Sequence, residues 1–358
     1  MKLRDKLRIG GAIVKSKITG RPRPFFVQYA LSHRCDGRCS YCNCFEQGGD
    51  ELTLAQHLQV LREFAALGAV RIKLLGGEPL LYPHVAHVVE EIRSLGMRSA
   101  MTTNGHFVES KLDVVKQLDE RIISIDGREE AHNAQRGAGS WRKVMRAIEI
   151  CSAEQLDFFL TAVVTSKSIG EIDWLIELAR KHRVMVNFQL PQHNSHVYGS
   201  QARQWLPSPE SAHAVLRQII AAKAAGAPVL FTANSYRHTL EWPDFFLERT
   251  ADPQAQSSSC MAGRYFVHME PNGDLYPCIL QMGDFVPKNV ICAGVQSAWE
   301  HTRHHGCQDC YNTWLTENRA IFDLHPAVLL NFWRNYLAPN NSGAQQSCRP
   351  LAERFKVS

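Results

Sequence analysis

The sequence predicts an α/β protein, a partial (β/α)6 TIM-like barrel followed by a small cysteine-rich extension. Three observations carry this expectation. Apolar runs of strand length alternate with amphipathic runs of helix length six times between Phe25 and Leu190. That alternation argues for parallel strands joined by crossover helices. After Pro191 the regular pattern stops, and from Cys260 onward short apolar runs, turns and cysteines replace it. The length of 358 residues exceeds an average domain but suits one elaborated barrel.

The elements follow in order. Residues 1–24 hold eight basic residues (Lys2, Arg4, Lys6, Arg8, Lys15, Lys17, Arg21, Arg23) and one acid, Asp5. Leu3, Leu7 and Val14 recur at near-helical spacing, so a short amphipathic helix is expected, ended by Arg21-Pro22-Arg23-Pro24. Such a helix either docks peripherally on an anionic membrane or packs across the open end of the barrel. The barrel is expected over 25–234. Its strands are Phe25–Leu31, Val70–Leu75, Ser99–Thr103, Arg121–Ile125, Phe158–Thr165 and Val184–Leu190, with Val229–Asn234 as a seventh candidate. Helices are expected at Leu52–Leu67, His84–Leu95, Glu109–Leu118, Ser140–Ala153, Glu171–His182 and Ser211–Ala225. Residues 192–209 read as a long loop or lid, and 252–259 as a polar linker. The extension spans 260–318, where Pro271-Asn272-Gly273-Asp274 between apolar runs reads as a hairpin turn. Residues 319–358 hold a last helix, Ala327–Tyr336, and a polar tail.

Composition narrows the function. The formal charge of +5 and a pI near 8.6 are mildly basic, short of a dedicated nucleic-acid binder, so no nucleic-acid partner is expected. No run approaches the ~18 apolar residues that a spanning helix needs, and Ile9–Val14 lacks the marks of a secretory signal. Eleven cysteines in a chain this long point to metal ligation rather than a disulfide scaffold, and so to the reduced cytoplasm.

Cys35, Cys39 and Cys42 follow the first strand in CxxxCxxC spacing. Loops there lie at the C-terminal face of a parallel barrel, where such folds place their chemistry. Three thiolates suit zinc, with Cys44 as a fourth ligand, or an iron–sulfur cluster with one open iron. Further motifs fall on successive strand ends: Gly76-Gly77-Glu78-Pro79, Ser124-Ile125-Asp126-Gly127, and His132-Asn133-Ala134-Gln135-Arg136-Gly137. With Cys35-Asp36-Gly37-Arg38-Cys39-Ser40-Tyr41-Cys42, this ordered set resembles the radical S-adenosylmethionine (SAM) superfamily over Phe25–Leu190. The resemblance implies that Cys35, Cys39 and Cys42 hold a [4Fe-4S] cluster whose open iron binds SAM. It implies that the segment around Tyr41 contacts adenine, and that Gly76, Gly77, Glu78 and Pro79 receive the methionyl amine. Ser124 is assigned to the ribose hydroxyls, with Asp126 beside it, and Arg136 to the SAM carboxylate. Thr103 and Asn104 end the third strand at the same mouth, as SAM or substrate contacts.

Cys260, Cys278 after a gap of seventeen residues, and the pair Cys307 and Cys310 form a second set. Together with the Pro271–Cys278 segment it resembles the twitch form of the SPASM extensions of radical SAM enzymes. The resemblance implies a second [4Fe-4S] cluster, fully cysteine-ligated and suited to electron transfer. A structural zinc is the competing reading, and His301, His304 and His305 are alternative ligands. Cys151 and Cys292 read as small buried residues or free thiols, and Cys44 as one of these or a hydrogen donor near the cluster.

The expected function is a radical SAM enzyme acting on a small molecule or lipid, reduced by a flavodoxin or ferredoxin. The stretch Gly76–Leu81 is somewhat similar to the adenosyl-hopene transferase branch, which would imply a lipid. The alternative is a ribosomal-peptide maturase of the SPASM/twitch type. A non-catalytic electron carrier would have no use for a SAM site.

Overall fold

The computed structural model describes residues 3–193, 200–251 and 260–332. The chain opens with α1 (Leu3–Thr19) and β1 (Phe26–Ser32). There follow α2 (Leu54–Ala66), β2 (Arg71–Gly76), α3 (Val85–Ser94), β3 (Arg98–Thr103), α4 (Leu112–Gln117) and β4 (Glu120–Ser124). Two helices, α5 (Glu129–Arg136) and α6 (Ser140–Ala153), precede β5 (Phe158–Val163), α7 (Ile172–His182) and β6 (Met185–Gln189). The six strands pair in chain order, all parallel. Local sequence explains the crossovers. Thr53 and Gln56 form a capping box at the start of α2. In α7 the buried Ile172, Leu175, Ile176 and Ala179 recur at helical spacing and cover the sheet.

Two expectations inside the barrel change. The segment around His132 is not a loop: it is α5, and Arg136 is its last residue. Its buried face is polar, His132 and Gln135, so no apolar period announced it. The seventh strand expected at Val229–Asn234 is absent. Val229 makes one isolated bridge to Val186, and the chain turns into a helix.

Beyond β6 come α8 (Pro209–Ala224), α9 (Ala233–Leu240), β7 (Arg249–Ala251), β8 (Phe266–Met269), β9 (Asp274–Tyr276) and β10 (Lys288–Asn289). Then follow α10 (Val290–Ala293), α11 (Val295–Thr302), β11 (Cys307–Cys310), α12 (Thr313–Phe322) and α13 (Pro326–Phe332). The place of a seventh parallel strand is taken by β8, which lies parallel to β1. The sheet order is β10-β9-β8-β1-β2-β3-β4-β5-β6, so barrel and extension share one nine-stranded sheet. The expected hairpin turn joins β8 to β9 with Gly273 at φ 90°. A separate pair, β7 with β11, carries Cys307 and Cys310.

The main core lies between the sheet and its helices. A second cluster gathers Ile13, Phe25, Phe26, Tyr265 and Phe322 with Cys260, Cys278 and Cys310. Thus α1 packs on the protein through the buried Ile13, and Lys17 lies 3.5 Å from Asp323. Ile18 is 80% exposed. Leu3 and Leu7, expected on the apolar stripe, have side chains outside the described set, and the polar tail lies wholly outside the described residues. Among the described residues, no helix is long and apolar enough to cross a membrane.

Candidate active site

The end of β1 and the end of β2 are strapped together by backbone. The Gly77 amide donates to the Ser32 carbonyl at 2.7 Å, and the Glu78 amide to the Arg34 carbonyl at 2.8 Å. A Cβ at Gly76 would lie 2.4 Å from the Ser32 oxygen, and one at Gly77 would lie 2.2 Å from the Arg34 oxygen. Both glycines are therefore required by the strap itself, which holds the chain entering the cysteine loop. Gly77→Ala should push this loop outward and cost about 1–3 kcal/mol through overpacking. Chemical denaturation checks it; an unchanged midpoint would show that the strap yields freely.

Glu78, which the strap ends on, is almost fully buried. Its carboxylate accepts from the Leu80 amide (3.1 Å), the Thr103 hydroxyl (2.9 Å) and the Asn104 amide (2.8 Å). Burial lifts the carboxyl to about 7, although those three donors work against it. Pro79 starts the turn that presents the Leu80 amide. Asn104 reaches the cysteine loop as well: its side-chain amide donates to Asp36 at 2.9 Å, and Asp36 also meets His106 Nδ1 at 2.6 Å. Asp36 and His106 were not singled out by sequence. Asp36 sits between two cysteines of the motif, and that position was the one available signal.

Cys35 and Cys39 flank Gly37. A Cβ there would lie 3.4 Å from the Cys35 Sγ and 3.7 Å from the Cys39 Sγ. Burial raises all three thiols, Cys35 to about 12 and Cys42 to about 11, and the charge of Cys39 adds to both shifts. Metal binding would release their protons. Among the described residues, no three or more His, Cys, Asp or Glu side chains are arranged to hold one metal ion. The thiol-only set instead fits a cluster, in which each thiolate takes its own iron. Cys44 does not complete a zinc set; its Sγ lies 3.6 Å from His33 Nδ1.

The far side of the loop is anchored by Asp126, which is fully buried. Its Oδ2 accepts from the Tyr41 hydroxyl (2.8 Å) and Arg136 Nε (2.6 Å). Its Oδ1 accepts from Arg136 Nη2 (3.1 Å) and the Val163 amide (2.9 Å). Those bonds occupy the roughly four lone-pair positions of a carboxylate. The expected ribose contact at Asp126 thus gives way to a bracing role, because no acceptor position is left over. Burial alone would raise this carboxyl; the Arg136 guanidinium outweighs it and holds it below the ordinary carboxylate range. The guanidinium also lies over the Tyr41 ring at 5.6 Å. Tyr41, buried beneath it, ties the cysteine loop to β4.

Cys42, Gly76, Ser124 and Arg136 line a cavity of about 220 Å³ inside the barrel. Its opposite wall comes from the extension and α12, with His268, Glu270, Met282 and Trp314. A polar chain crosses it: His33 lies 3.5 Å from Glu270, which meets His268 Nε2 at 2.7 Å. An open cleft of about 650 Å³ adjoins it, sharing Met282 and bordered by β7, Phe246 and Leu247.

The four cysteines of the second set lie near one another in the extension, though not arranged to hold a single metal ion. Cys260, Cys278, Cys307 and Cys310 are all buried. Cys260 and Cys307 share a hydrogen bond that lowers the first and raises the second. Burial pushes Cys278 up to about 12, and Cys310 well above the ordinary thiol range. Four buried thiols fit a closed ligand set. His305 is not a free alternative: Nε2 meets the Ala262 carbonyl at 2.9 Å, and Nδ1 accepts from the Cys307 amide at 3.3 Å. His301 Nε2 faces the Val286 carbonyl at 2.9 Å. Cys151 is buried as expected, whereas Cys292 is exposed.

Residues 29–179 match the family model described as Radical SAM superfamily. The chain is 31% identical over 175 residues to the GTP 3',8-cyclase of Marinobacter nauticus, covering 46% of this chain and 52%, about half, of that enzyme. It is 24% identical over 295 residues to mycofactocin maturase MftC of Mycobacterium ulcerans, covering 79% of this chain and 76% of the other. Among solved structures, Streptococcus suis SuiB bound to S-adenosylmethionine aligns with a TM-score of 0.62 at 17% identity, over 80% of this chain and 68% of that one. SuiB bound to the precursor peptide SuiA gives 0.64 at 16%, over 80% and 67%. At such identity the structural likeness shows the fold.

Proposed function

We propose, for a chain that belongs to the radical SAM superfamily, that it modifies a peptide by hydrogen-atom abstraction, aided by a second iron–sulfur cluster in the extension. One observation carries the choice of peptide over the small molecule or lipid expected from sequence. Beside the barrel cavity, whose wall carries Gly76, Ser124 and Arg136, lies an open cleft of about 650 Å³ that could hold an extended chain. A compact metabolite needs no such cleft. MftC is a maturase, and SuiB was solved with a precursor peptide; both support the reading.

Cys35, Cys39 and Cys42 would hold the first cluster, and Cys260, Cys278, Cys307 and Cys310 the second. Together the bound cluster and SAM supply a 5′-deoxyadenosyl radical that removes a hydrogen atom from substrate. The protein's own work is placement. Glu78 offers a buried carboxylate to the methionyl amine, which would hold it ionised. Ser124, on the cavity wall, is placed for the ribose hydroxyls. Arg136, fixed by Asp126, would offer its remaining N–H groups to the SAM carboxylate. The shared sheet closes the cavity on its far side, limiting access of water and stray hydrogen donors. With no open iron, the second cluster suits electron transfer to or from the substrate, and a flavodoxin or ferredoxin suits the supply of the first electron.

The test uses anaerobically reconstituted enzyme with SAM, dithionite and short peptides encoded beside its gene, one of them deuterated. A peptide mass change and deuterium in the 5′-deoxyadenosine are expected. If no peptide changes mass while a small metabolite does, the peptide reading is lost.

A further inference from the structure

We propose that Lys73 anchors the substrate by binding a carboxylate that the substrate carries into the barrel cavity. This rests on the function proposed above and names the chemistry of the group that enters.

Lys73 lies in the middle of β2. Its register partner on β1 is Gln28, whose partner on β8 is His268. The three form one row across parallel strands, and all three line the cavity. The Lys73 ammonium sits over the Trp314 ring at 5.5 Å. Among the described residues, no hydrogen bond or ion pair reaches its Nζ. The charged groups around it are engaged elsewhere. Arg71 on its own strand pairs with Glu120 of β4 at 2.6 Å, and His268 pairs with Glu270 two residues on at 2.7 Å.

An enclosed ammonium without a counter-charge is costly, and structural lysines normally snorkel to water. Lys73 does neither. Its amine is pulled down to about 8, chiefly by burial and secondarily by Arg71. A second group on the same wall is also unsatisfied: the Thr102 hydroxyl on β3 is buried with no hydrogen-bond partner. Thr102 lies two residues beyond Ala100, the register partner of Lys73, so the ammonium and the hydroxyl are two donors on neighbouring strands of one wall, as many as a carboxylate has oxygens. A phosphate, with three oxygens and nearly twice the charge, would leave acceptors unmet. On the peptide reading, the carboxylate belongs to an acidic side chain or to a peptide C-terminus.

The test uses reconstituted holoenzyme with SAM and three probes. N-acetyl-aspartate N-methylamide presents a side-chain carboxylate, and N-acetylglycine a terminal one. N-acetyl-asparagine N-methylamide is the neutral control. Saturation-transfer NMR reads binding. One acid should bind about tenfold or more tighter than the amide, as for a hydrogen bond to a charged group. That preference should fall as pH rises through about 8, where the ammonium is lost. Lys73→Met should abolish it, while Lys73→Arg should keep it and remove the pH dependence. Equal binding of acid and amide by the wild type overturns the proposal, as does undiminished preference in a folded Lys73→Met. If Lys73→Met does not fold, the wild-type comparison and its pH dependence decide. SAM cleavage by the wild type is measured alongside. Its absence would strike the enzyme function, whereas cleavage without acid preference would strike only the role of Lys73. Turnover of a free carboxylic acid in place of a peptide would sink the peptide reading and leave the anchor standing.

Discussion

Replacing Cys35, Cys39 and Cys42 together with alanine should abolish 5′-deoxyadenosine formation and leave roughly half the iron. The wild type, with both thiol sets filled after anaerobic reconstitution, should carry about eight irons and eight sulfides. The triple variant removes one set and leaves the buried Cys260, Cys278, Cys307 and Cys310 intact. The two sets lie on different elements: the first on the loop after β1, the second mainly on β11 and around β8 and β9. Loss of one should therefore not empty the other. The activity loss should be complete rather than graded, because among the described residues the one further thiol near the loop is Cys44, whose Sγ lies 3.6 Å from His33 Nδ1. Iron, sulfide and zinc are measured on the same sample. Zinc retained in place of iron in the wild type would defeat the cluster assignment. Residual 5′-deoxyadenosine from the variant would move the reaction to the second site.

The parts of this site that were legible in sequence share a property: their function constrains neighbouring residues. The thiols of Cys35, Cys39 and Cys42 must lie on one short loop, and Gly76-Gly77-Glu78 must form one turn. Each leaves a contiguous motif. The six strands were legible for a similar reason, since each is a short, largely apolar or β-branched run set between helix-length segments. What escaped is non-local. The four-residue β8 is too short to declare itself, and its parallel place beside β1 depends on a chain segment some 240 residues away. The polar face of α5 hid a helix whose last residue is Arg136. Asp36 and His106 meet only because the cysteine loop folds onto the end of β3. Lys73, read from sequence, is one polar residue in a strand; its isolation appears only once Arg71 and Glu120 are seen to pair with each other. The basic helix α1 shows the converse. Its charge pattern suggested an anionic membrane, yet Ile13 and Lys17 spend part of its surface on the protein itself.

Asp126→Ala should be the most destabilising single change at the site. Removing the carboxylate leaves Arg136, whose side chain is only 10% exposed, as an uncompensated buried cation. It also strands the Tyr41 hydroxyl and the Val163 amide. Breaking a buried ion pair by deleting one partner typically costs about 3–5 kcal/mol. Asp126→Asn should cost less, because the amide oxygen can still accept from Arg136 or Tyr41, though not from all four donors. The pH dependence has a definite sign. The native carboxyl is held below its unfolded value, so its contribution is full above about 4 and is lost as pH falls through the native value. Below about pH 4 the wild type should lose stability faster than Asp126→Asn, and the two melting curves should converge. SAM affinity provides the second readout. With its brace gone, Arg136 is free to turn, and the loop carrying Cys39 and Cys42 loses its tie through Tyr41. Both effects should weaken SAM binding in any variant that folds, whereas a purely structural Asp126 would change the melting temperature alone. A folded Asp126→Ala with wild-type stability would show that the Asp126–Arg136 pair is dispensable, and wild-type SAM affinity in that variant would take Arg136 out of the SAM site.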